Sequence, residues 1–323
     1  MSHATSTHHR HLHLREAKGL SVLVTGSRGL IGTELIALLK TGSHRVTRLV
    51  TGRGDLHPED GTRWVPWNPD SPLPAGTLEE ADAVIHLAGD SVTSSRWTRT
   101  KKRKIVESRT IPTRHIAEAL AAMPASRRPK VFLCASAVGY YGNRGDEFLT
   151  EDSPPGEGFF PDVCVKWEAA THPARDAGIR TANFRIGVVL SHHGGALGKQ
   201  LFAFKLGLGA VLGSGEQWMP WITVADVVGA IHHCLVTEAI EGPVNLVGPN
   251  PATNREFTRT LGHVLHRPTY MWLPRLALRA MFGEIADEAL LASMRAVPKK
   301  LLDTGFTFAH PDLAAGLRFL LGR

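Results

Sequence analysis

Val22-Leu23-Val24-Thr25-Gly26-Ser27-Arg28-Gly29-Leu30-Ile31-Gly32 is an apolar, β-branched run that stops at a Gly-x-x-Gly-x-x-Gly turn. The helical pattern Thr33-Glu34-Leu35-Ile36-Ala37-Leu38-Leu39 follows without a break. Strand, glycine turn and helix in this order form the context in which backbone N–H groups grip a dinucleotide pyrophosphate. Gly26 permits the tight turn, Gly29 permits close approach of the phosphates, and Gly32 lets the helix lie against its strand. The positive end of that helix then faces the phosphates. Gly26, Ser27, Arg28, Gly29, Leu30, Ile31 and Gly32 are therefore the expected cofactor-binding loop.

Outward from this loop, short apolar runs alternate with helical stretches. A second strand is expected over Arg45–Val50, then a loop with Trp64-Val65-Pro66-Trp67, then the buried run Ala83-Val84-Ile85-His86-Leu87-Ala88-Gly89. Helical residues 100–122 lead to Val131-Phe132-Leu133-Cys134-Ala135-Ser136, a helix over 162–177 and a strand over 180–190. Strands alternating with crossover helices predict an α/β fold, a Rossmann-type doubly wound parallel sheet. Ligands of such sheets sit at the carboxyl ends of the strands. Those ends carry Gly26, the Leu87-Ala88-Gly89 segment and Ala135-Ser136, which are expected to converge on one cleft.

Beyond Leu190 the texture changes to glycine-rich and then proline-punctuated helical sequence, including an amphipathic stretch over 285–294. Residues 219–248 read as a return to the sheet, through Trp221-Ile222-Thr223 and Val244-Asn245-Leu246-Val247. The expected organisation is a dinucleotide-binding domain over 19–190 and 219–248, with a small, mostly helical C-terminal lobe over 191–218 and 249–323 on the substrate side. Residues 1–18, with His3, His8, His9, His11 and His13 and no apolar periodicity, read as a disordered tail.

The chain has 323 residues, 43% of them hydrophobic, which suits one large folded unit and excludes a mainly disordered protein. No apolar run approaches the ~18–20 residues that cross a bilayer, so no membrane partner is expected. Cys134, Cys164 and Cys234 are odd in number and lack Cys-x-x-Cys spacing, which argues against disulfides and zinc and for a reducing compartment, the cytoplasm. The formal net charge of +7 draws on the run Arg96-Trp97-Thr98-Arg99-Thr100-Lys101-Lys102-Arg103-Lys104. A nucleic acid could use such a run, but the apolar spacing that follows makes it a solvated helix face, and no nucleic-acid partner is expected. His192-His193 and His232-His233 lack metal-ligand spacing, Gly213-Ser214-Gly215 lacks a nucleophile elbow, and no metal site is expected. Gly194-Gly195, ahead of a helix, offers an N-terminus to an anionic substrate group.

The second strand also reports on which dinucleotide binds. An NAD site places an acid about 20 residues past the glycine loop, against the ribose 2′-hydroxyl. Here the strand ends Thr47-Arg48-Leu49-Val50-Thr51-Gly52-Arg53 with no acid before Asp55, while Arg28, Arg48 and Arg53 are available. Guanidinium suits a 2′-phosphate, and a charge-assisted contact of roughly 1.5–3 kcal/mol predicts a roughly 10- to 100-fold preference for NADP(H).

The Gly26 loop, His86-Leu87-Ala88-Gly89-Asp90 and Ser136-Ala137-Val138-Gly139-Tyr140-Tyr141-Gly142 resemble an atypical extended short-chain dehydrogenase/reductase. More narrowly they resemble the epimerase family protein group, which is nucleotide-sugar-epimerase-like with a C-terminal extension. Arg96-Trp97, Ser108-Arg109, Trp167-Glu168-Ala169-Ala170, Arg185-Ile186-Gly187-Val188-Val189-Leu190, and residues 283–291 through His310-Pro311-Asp312-Leu313 extend the likeness from about residue 20 onward. The resemblance implies NADP(H), a Rossmann domain and a small C-terminal lobe.

The wider superfamily uses Ser, Tyr and Lys, with Tyr-x-x-x-Lys on the helix after the serine strand. Ser136 falls at the serine position, but Phe160 and Cys164 occupy the other two in the register counted from Glu168. Using Lys166 instead puts Asp162 opposite it, and Lys166 itself reads as solvent-facing; Asp226 reads as a structural, helix-starting acid. Two readings follow. In one, Ser136, Tyr140 and Tyr141 are the catalytic candidates of an NADP(H)-dependent oxidoreductase or epimerase-like enzyme acting on a polar carbonyl, hydroxyl or sugar-nucleotide-like small molecule. In the other, the protein is a non-catalytic NADP(H)-binding sensor or scaffold. A small-molecule substrate and, at most, a second copy of the chain as a homodimer are the expected partners.

Overall fold

The computed structural model describes residues 19–52, 61–92 and 96–323. In strand β1 (Ser21–Thr25), Val22 and Val24 enter one core and Leu23 enters another, all almost fully buried. A strand apolar on both faces requires cover on both faces. Helix α1 (Leu30–Thr41) covers one with Leu35, Ile36 and Leu39. After β2 (Arg45–Val50), β3 (Arg63–Pro66) and β4 (Ala83–His86), helix α2 (Arg99–Ala122) covers the other with Ile116, Ala117 and Leu120. Each such leucine or isoleucine contributes roughly 1.5–3 kcal/mol by leaving water.

The chain continues through β5 (Val131–Ala137), a 3-10 turn over Val138–Tyr141, β6 (Phe148–Leu149), α3 (Phe159–Ala169), α4 (His172–Asp176), β7 (Arg180–Ile186) and β8 (Val188–Ser191). Then come α5 (Gly195–Lys205), β9 (Ala210–Leu212), β10 (Trp218–Met219), β11 (Trp221–Thr223), α6 (Val224–Val236) and β12 (Gly242–Leu246). The last part comprises β13 (Ala252–Thr253), α7 (Asn254–Leu265), β14 (Met271–Leu273), α8 (Arg275–Phe282), β15 (Arg295–Ala296), α9 (Lys299–Asp303) and α10 (Leu313–Leu321).

Seven strands form one parallel sheet in the order β12-β7-β5-β4-β1-β2-β3. Helices lie on both faces, so the architecture is the expected Rossmann-type doubly wound sheet. Strand order diverges between β1 and β4, which opens a crevice beyond their carboxyl ends. The C-terminal region is mostly helical. There α5, α7 and α10 enclose a separate core with β8 and β11, built from Leu197, Phe257, Leu261, Leu317 and Trp221.

Six local expectations are corrected. The expected loop with Trp64-Val65-Pro66-Trp67 is instead mostly strand β3, which pairs with β2 at the sheet edge. The helix over 162–177 is two helices, because Pro173 lacks the N–H that would continue the first and instead starts α4. The strand over 180–190 breaks at Gly187, where a Cβ would lie 2.2 Å from the Pro220 carbonyl oxygen. The chain there leaves the main sheet, and β8 pairs with β11 alone; Trp221-Ile222-Thr223 therefore does not return to the seven-stranded sheet as read. Residues 285–294 contain a single π-helical turn over Ala286–Leu290 in place of an amphipathic helix. Finally, the basic run is not uniformly solvated: Lys101 is buried, and its Nζ donates to the Asp90 carboxylate at 2.6 Å and the Ser91 carbonyl at 2.7 Å.

Candidate active site

The glycine loop has the geometry its spacing implies. Gly26 has φ +67°, and a Cβ there would lie 2.6 Å from the Leu87 carbonyl carbon. A Cβ on Gly32 would lie 2.3 Å from the Gly26 carbonyl oxygen, so glycine is what allows α1 to start against the loop. Gly29 caps α1 with no side-chain acceptor, which leaves the first N–H groups of the helix open to a ligand. The Ser27 hydroxyl is buried without a partner beside them. Leu30 and Ile31 form the first turn, and Leu30 Cδ2 lies 3.2 Å from where a Gly195 Cβ would sit, so the α5 N-terminus abuts this end of the crevice.

Thr25 ties the loop to β4. Its Oγ accepts from Leu87 N and Ala88 N, each at 3.2 Å, and lies 2.6 Å from His86 Nδ1. The hydroxyl proton therefore goes to Nδ1, which makes His86 a neutral Nε2–H tautomer. Burial drives its pKa down to about 3. Past Ala88, Gly89 lies over the Arg109 guanidinium, whose Nη2 donates to the Asp90 carbonyl at 3.0 Å. Arg109 thus shapes the Leu87-Ala88-Gly89 wall, a role that its place mid-helix does not reveal.

At the outer end of the crevice, Arg28 from the loop and Arg48 from β2 converge on one indole. Their guanidinium carbons lie 5.0 and 5.3 Å from the Trp64 ring centroid. This stack joins the glycine loop, β2 and β3. Arg53 lies outside the described residues.

The centre of the site differs from expectation. Ser136 ends β5 beside buried Ala135, and its hydroxyl donates to Glu168 Oε1 at 2.8 Å. Glu168 also receives both arms of Arg185, Nε and Nη2, each at 3.0 Å. Arg185 continues to the Tyr141 hydroxyl at 3.0 Å and the Glu151 carbonyl at 3.2 Å. Burial opposes the charge of Arg185, but its bonds to Glu168 hold its pKa above the ordinary value.

Tyr141 is fully buried, and its hydroxyl lies 2.7 Å from Asn245 Oδ1 and 2.9 Å from the Thr150 carbonyl, to which it donates. Burial pushes its pKa up to about 12. Tyr141, a catalytic candidate by sequence, is thus enclosed with its hydroxyl proton engaged. Tyr140 is half-buried, with the Arg185 guanidinium 3.4 Å from its ring centroid, and no described residue hydrogen-bonds its hydroxyl.

Phe160 and Cys164 lie one turn apart on α3 facing this turn. A Gly139 Cβ would be 3.1 Å from Phe160 Cβ, and the Cys164 thiol points at the Ala137 carbonyl at 3.6 Å. Burial pushes the thiol up to about 12, so it supplies neither charge nor proton near neutral pH. Trp97 packs edge-on against Phe159 and Phe160. Lys166 is exposed, as read. Asp226 is structural, as read: it receives N–H bonds from Ala309 at 2.6 Å and His310 at 3.2 Å.

Beside this centre lies a cleft of about 410 Å³ whose wall includes Gly142, Glu157, Gln217, Asp287 and Glu288. The Glu288 carboxylate accepts from Phe159 N and Phe160 N at 3.3 Å, so the cleft reaches the N-terminus of α3. Among the described residues no group of His, Cys, Asp and Glu is arranged to hold a metal ion. No described helix is long and apolar enough to cross a membrane.

Residues 22–248 match the model of the NAD dependent epimerase/dehydratase family. The chain belongs to that family. Residues 273–320 match a separate domain of unknown function. An epimerase family protein of Mycobacterium bovis is 42% identical over 303 residues, 94% of this chain and 98% of that protein. The human epimerase family protein SDR39U1 is 36% identical over 302 residues, covering 93% of this chain and 99% of its own length. A crystal structure of isoform 2 of that human protein, with NADPH, superposes with a TM-score of 0.84 at 35% identity, over 94% of this chain and 99% of the other. UDP-glucuronic acid 4-epimerase from Bacillus cereus shares the fold, with a TM-score of 0.72 at 17% identity over 92% of this chain and 94% of that one.

Proposed function

We propose that this epimerase-family chain is an NADP(H)-dependent oxidoreductase or epimerase-like enzyme, with residues 19–190 and 219–248 holding the cofactor and residues 191–218 and 249–323 facing the substrate. The observation that carries the cofactor assignment is the pair Arg28 and Arg48 stacked on Trp64. Two guanidinium groups held on one indole suit a 2′-phosphate. The open N–H groups of α1 and the unpartnered Ser27 hydroxyl fit the pyrophosphate. Gly26 and Gly32 allow the loop to pack on Leu87-Ala88 and α1 to start against the loop, where a Cβ would collide with backbone. The human relative crystallised with NADPH supports the same reading.

The nicotinamide supplies or accepts the hydride when bound. Ser136, its proton given to Glu168, presents lone pairs and so accepts a hydrogen bond from a substrate hydroxyl. Tyr140, three residues past Ala137 at the end of β5, has a hydroxyl that no described residue hydrogen-bonds, and the Arg185 guanidinium lies over its ring. We assign Tyr140 the proton transfer that Phe160 cannot perform. The second reading, a non-catalytic NADP(H)-binding sensor, draws support from the apolar Phe160–Cys164 pair itself.

Parallel titrations with NADPH and NADH, followed by nicotinamide fluorescence, test the assignment. NADPH should bind at least about tenfold more tightly, and Arg28→Ala and Arg48→Ala should each weaken NADPH by about tenfold while sparing NADH. Equal affinities would overturn the arginine argument, and no binding at tens of micromolar would overturn the cofactor assignment. Slow hydride exchange with a hydroxyl substrate that Tyr140→Phe abolishes, without loss of NADPH affinity, separates enzyme from sensor.

A further inference from the structure

Resting on the reading of a substrate site beside Ser136, we propose that the adjoining cleft takes a hydroxyl-rich substrate free of phosphate, with amine-bearing members preferred, and not a nucleoside diphosphate. The wall offers acceptors. Gln217 is only 7% exposed, and its Nε2 is spent on the Leu212 and Leu290 carbonyls at 3.0 and 3.1 Å. Its Oε1 is left without a partner within the cleft wall, a buried acceptor awaiting a donor. Glu157 is an exposed carboxylate on the same wall with no ion pair among the described residues.

The cations nearby are already engaged. Arg275 is the basic residue of the wall, and its Nε and Nη2 both bond Asp287 Oδ1, at 3.0 and 2.8 Å. Arg279 bonds the other oxygen at 2.7 Å. The helix end that would otherwise attract an anion, that of α3, is filled by Glu288. A diphosphate entering here would meet the Glu157 and Glu288 carboxylates and find Arg275 and Arg279 already paired with Asp287. Ser136, outside this wall on β5, is a further acceptor, since its proton faces Glu168. Leu291 and Ala292 supply an apolar strip against which a ring face can lie.

The test uses the full chain saturated with NADPH and three probes, glucosamine, glucose and UDP-glucose, compared by ligand-observed NMR with dissociation constants from titration. Glucosamine should bind about fivefold more tightly than glucose, the effect expected of one solvent-facing carboxylate, and UDP-glucose more weakly than either. Glu157→Gln should bring glucosamine level with glucose, and Glu157→Lys should raise UDP-glucose. Tighter binding of UDP-glucose to the unmodified protein, a glucosamine preference that survives Glu157→Gln, or no binding by any probe overturns the proposal. NADPH affinity measured in the same sample keeps the outcomes apart: its loss overturns the cofactor reading, while the ranking of the three probes alone judges the cleft.

Discussion

Tyr141 and Ser136 show what one residue's surroundings do to its chemistry. Both are side chains that elsewhere move protons, yet here each has given its proton to a fixed acceptor. The hub is Glu168, bonded to Ser136 and to both arms of Arg185. Removing its charge would leave the guanidinium, 3% exposed, without its counter-ion. Glu168→Gln should therefore destabilise the fold by about 3–5 kcal/mol, read as a lower urea midpoint with an unchanged slope. A loss below about 1 kcal/mol would show that the pair is not the anchor described. None of this was legible from residue order. Tyr141 sits next to Tyr140 in sequence, but its role is decided by Arg185 on β7 and Asn245 on β12, two strands that only tertiary folding brings alongside. The cofactor loop was legible because all its parts lie within eleven consecutive residues and its glycines have local backbone causes.

Among elements, α1 depends most visibly on a single position. A side chain at Gly32 must push the helix off the Gly26 carbonyl, since even a Cβ would approach it to 2.3 Å. Gly32→Val should abolish measurable NADPH binding and lower the melting temperature. Gly52→Ala, at a glycine with no heavy atom within 4 Å of its Cβ but φ +89°, should cost only a modest amount of stability and spare binding. Full NADPH affinity in Gly32→Val would contradict the close packing. Continuous apolar runs located the inner strands β1, β4, β5 and β7 because each is buried on both faces, whereas the half-exposed edge strand β3 read as a loop. The same signal ran past Gly187, where an apolar sequence continues but the backbone changes sheets and Val188 N bonds the Pro220 carbonyl at 2.7 Å. A contact with a strand thirty residues on leaves no local mark.

Over the whole molecule, buried neutral histidine sets the response to acid. His86 falls from 6.5 to about 3 on folding, through burial. His44, His232 and His233 also shift down, each through burial first. A base whose pKa drops on folding binds protons preferentially in the unfolded chain, so stability is fully present above pH 6.5 and is lost as pH falls toward the folded value. Chemical denaturation should show stability declining steadily between pH 6.5 and about 4, and His86→Gln should flatten that decline. A pH-independent midpoint over this interval would contradict the buried neutral imidazole.

The order in which a ribosome delivers this chain gives the β6–β15 pair a temporal meaning. Glu151 is 4% exposed, and its Oε1 accepts from Asn245 N at 3.1 Å and from Lys300 N at 3.2 Å. Asn245 in turn donates to the Val297 carbonyl at 3.0 Å, and β15 adds its backbone to β6 in parallel. Glu288 closes the N-terminus of α3 from the same late segment. The nascent protein therefore completes its nucleotide crevice long before its last strand emerges, while the turn beneath Tyr140 waits, half-assembled, for residues synthesised some 150 positions later. A chain stalled short of Lys300 would be able to grip a dinucleotide and unable to present a formed substrate wall, so vectorial synthesis separates in time the two halves of the site that the finished fold holds together.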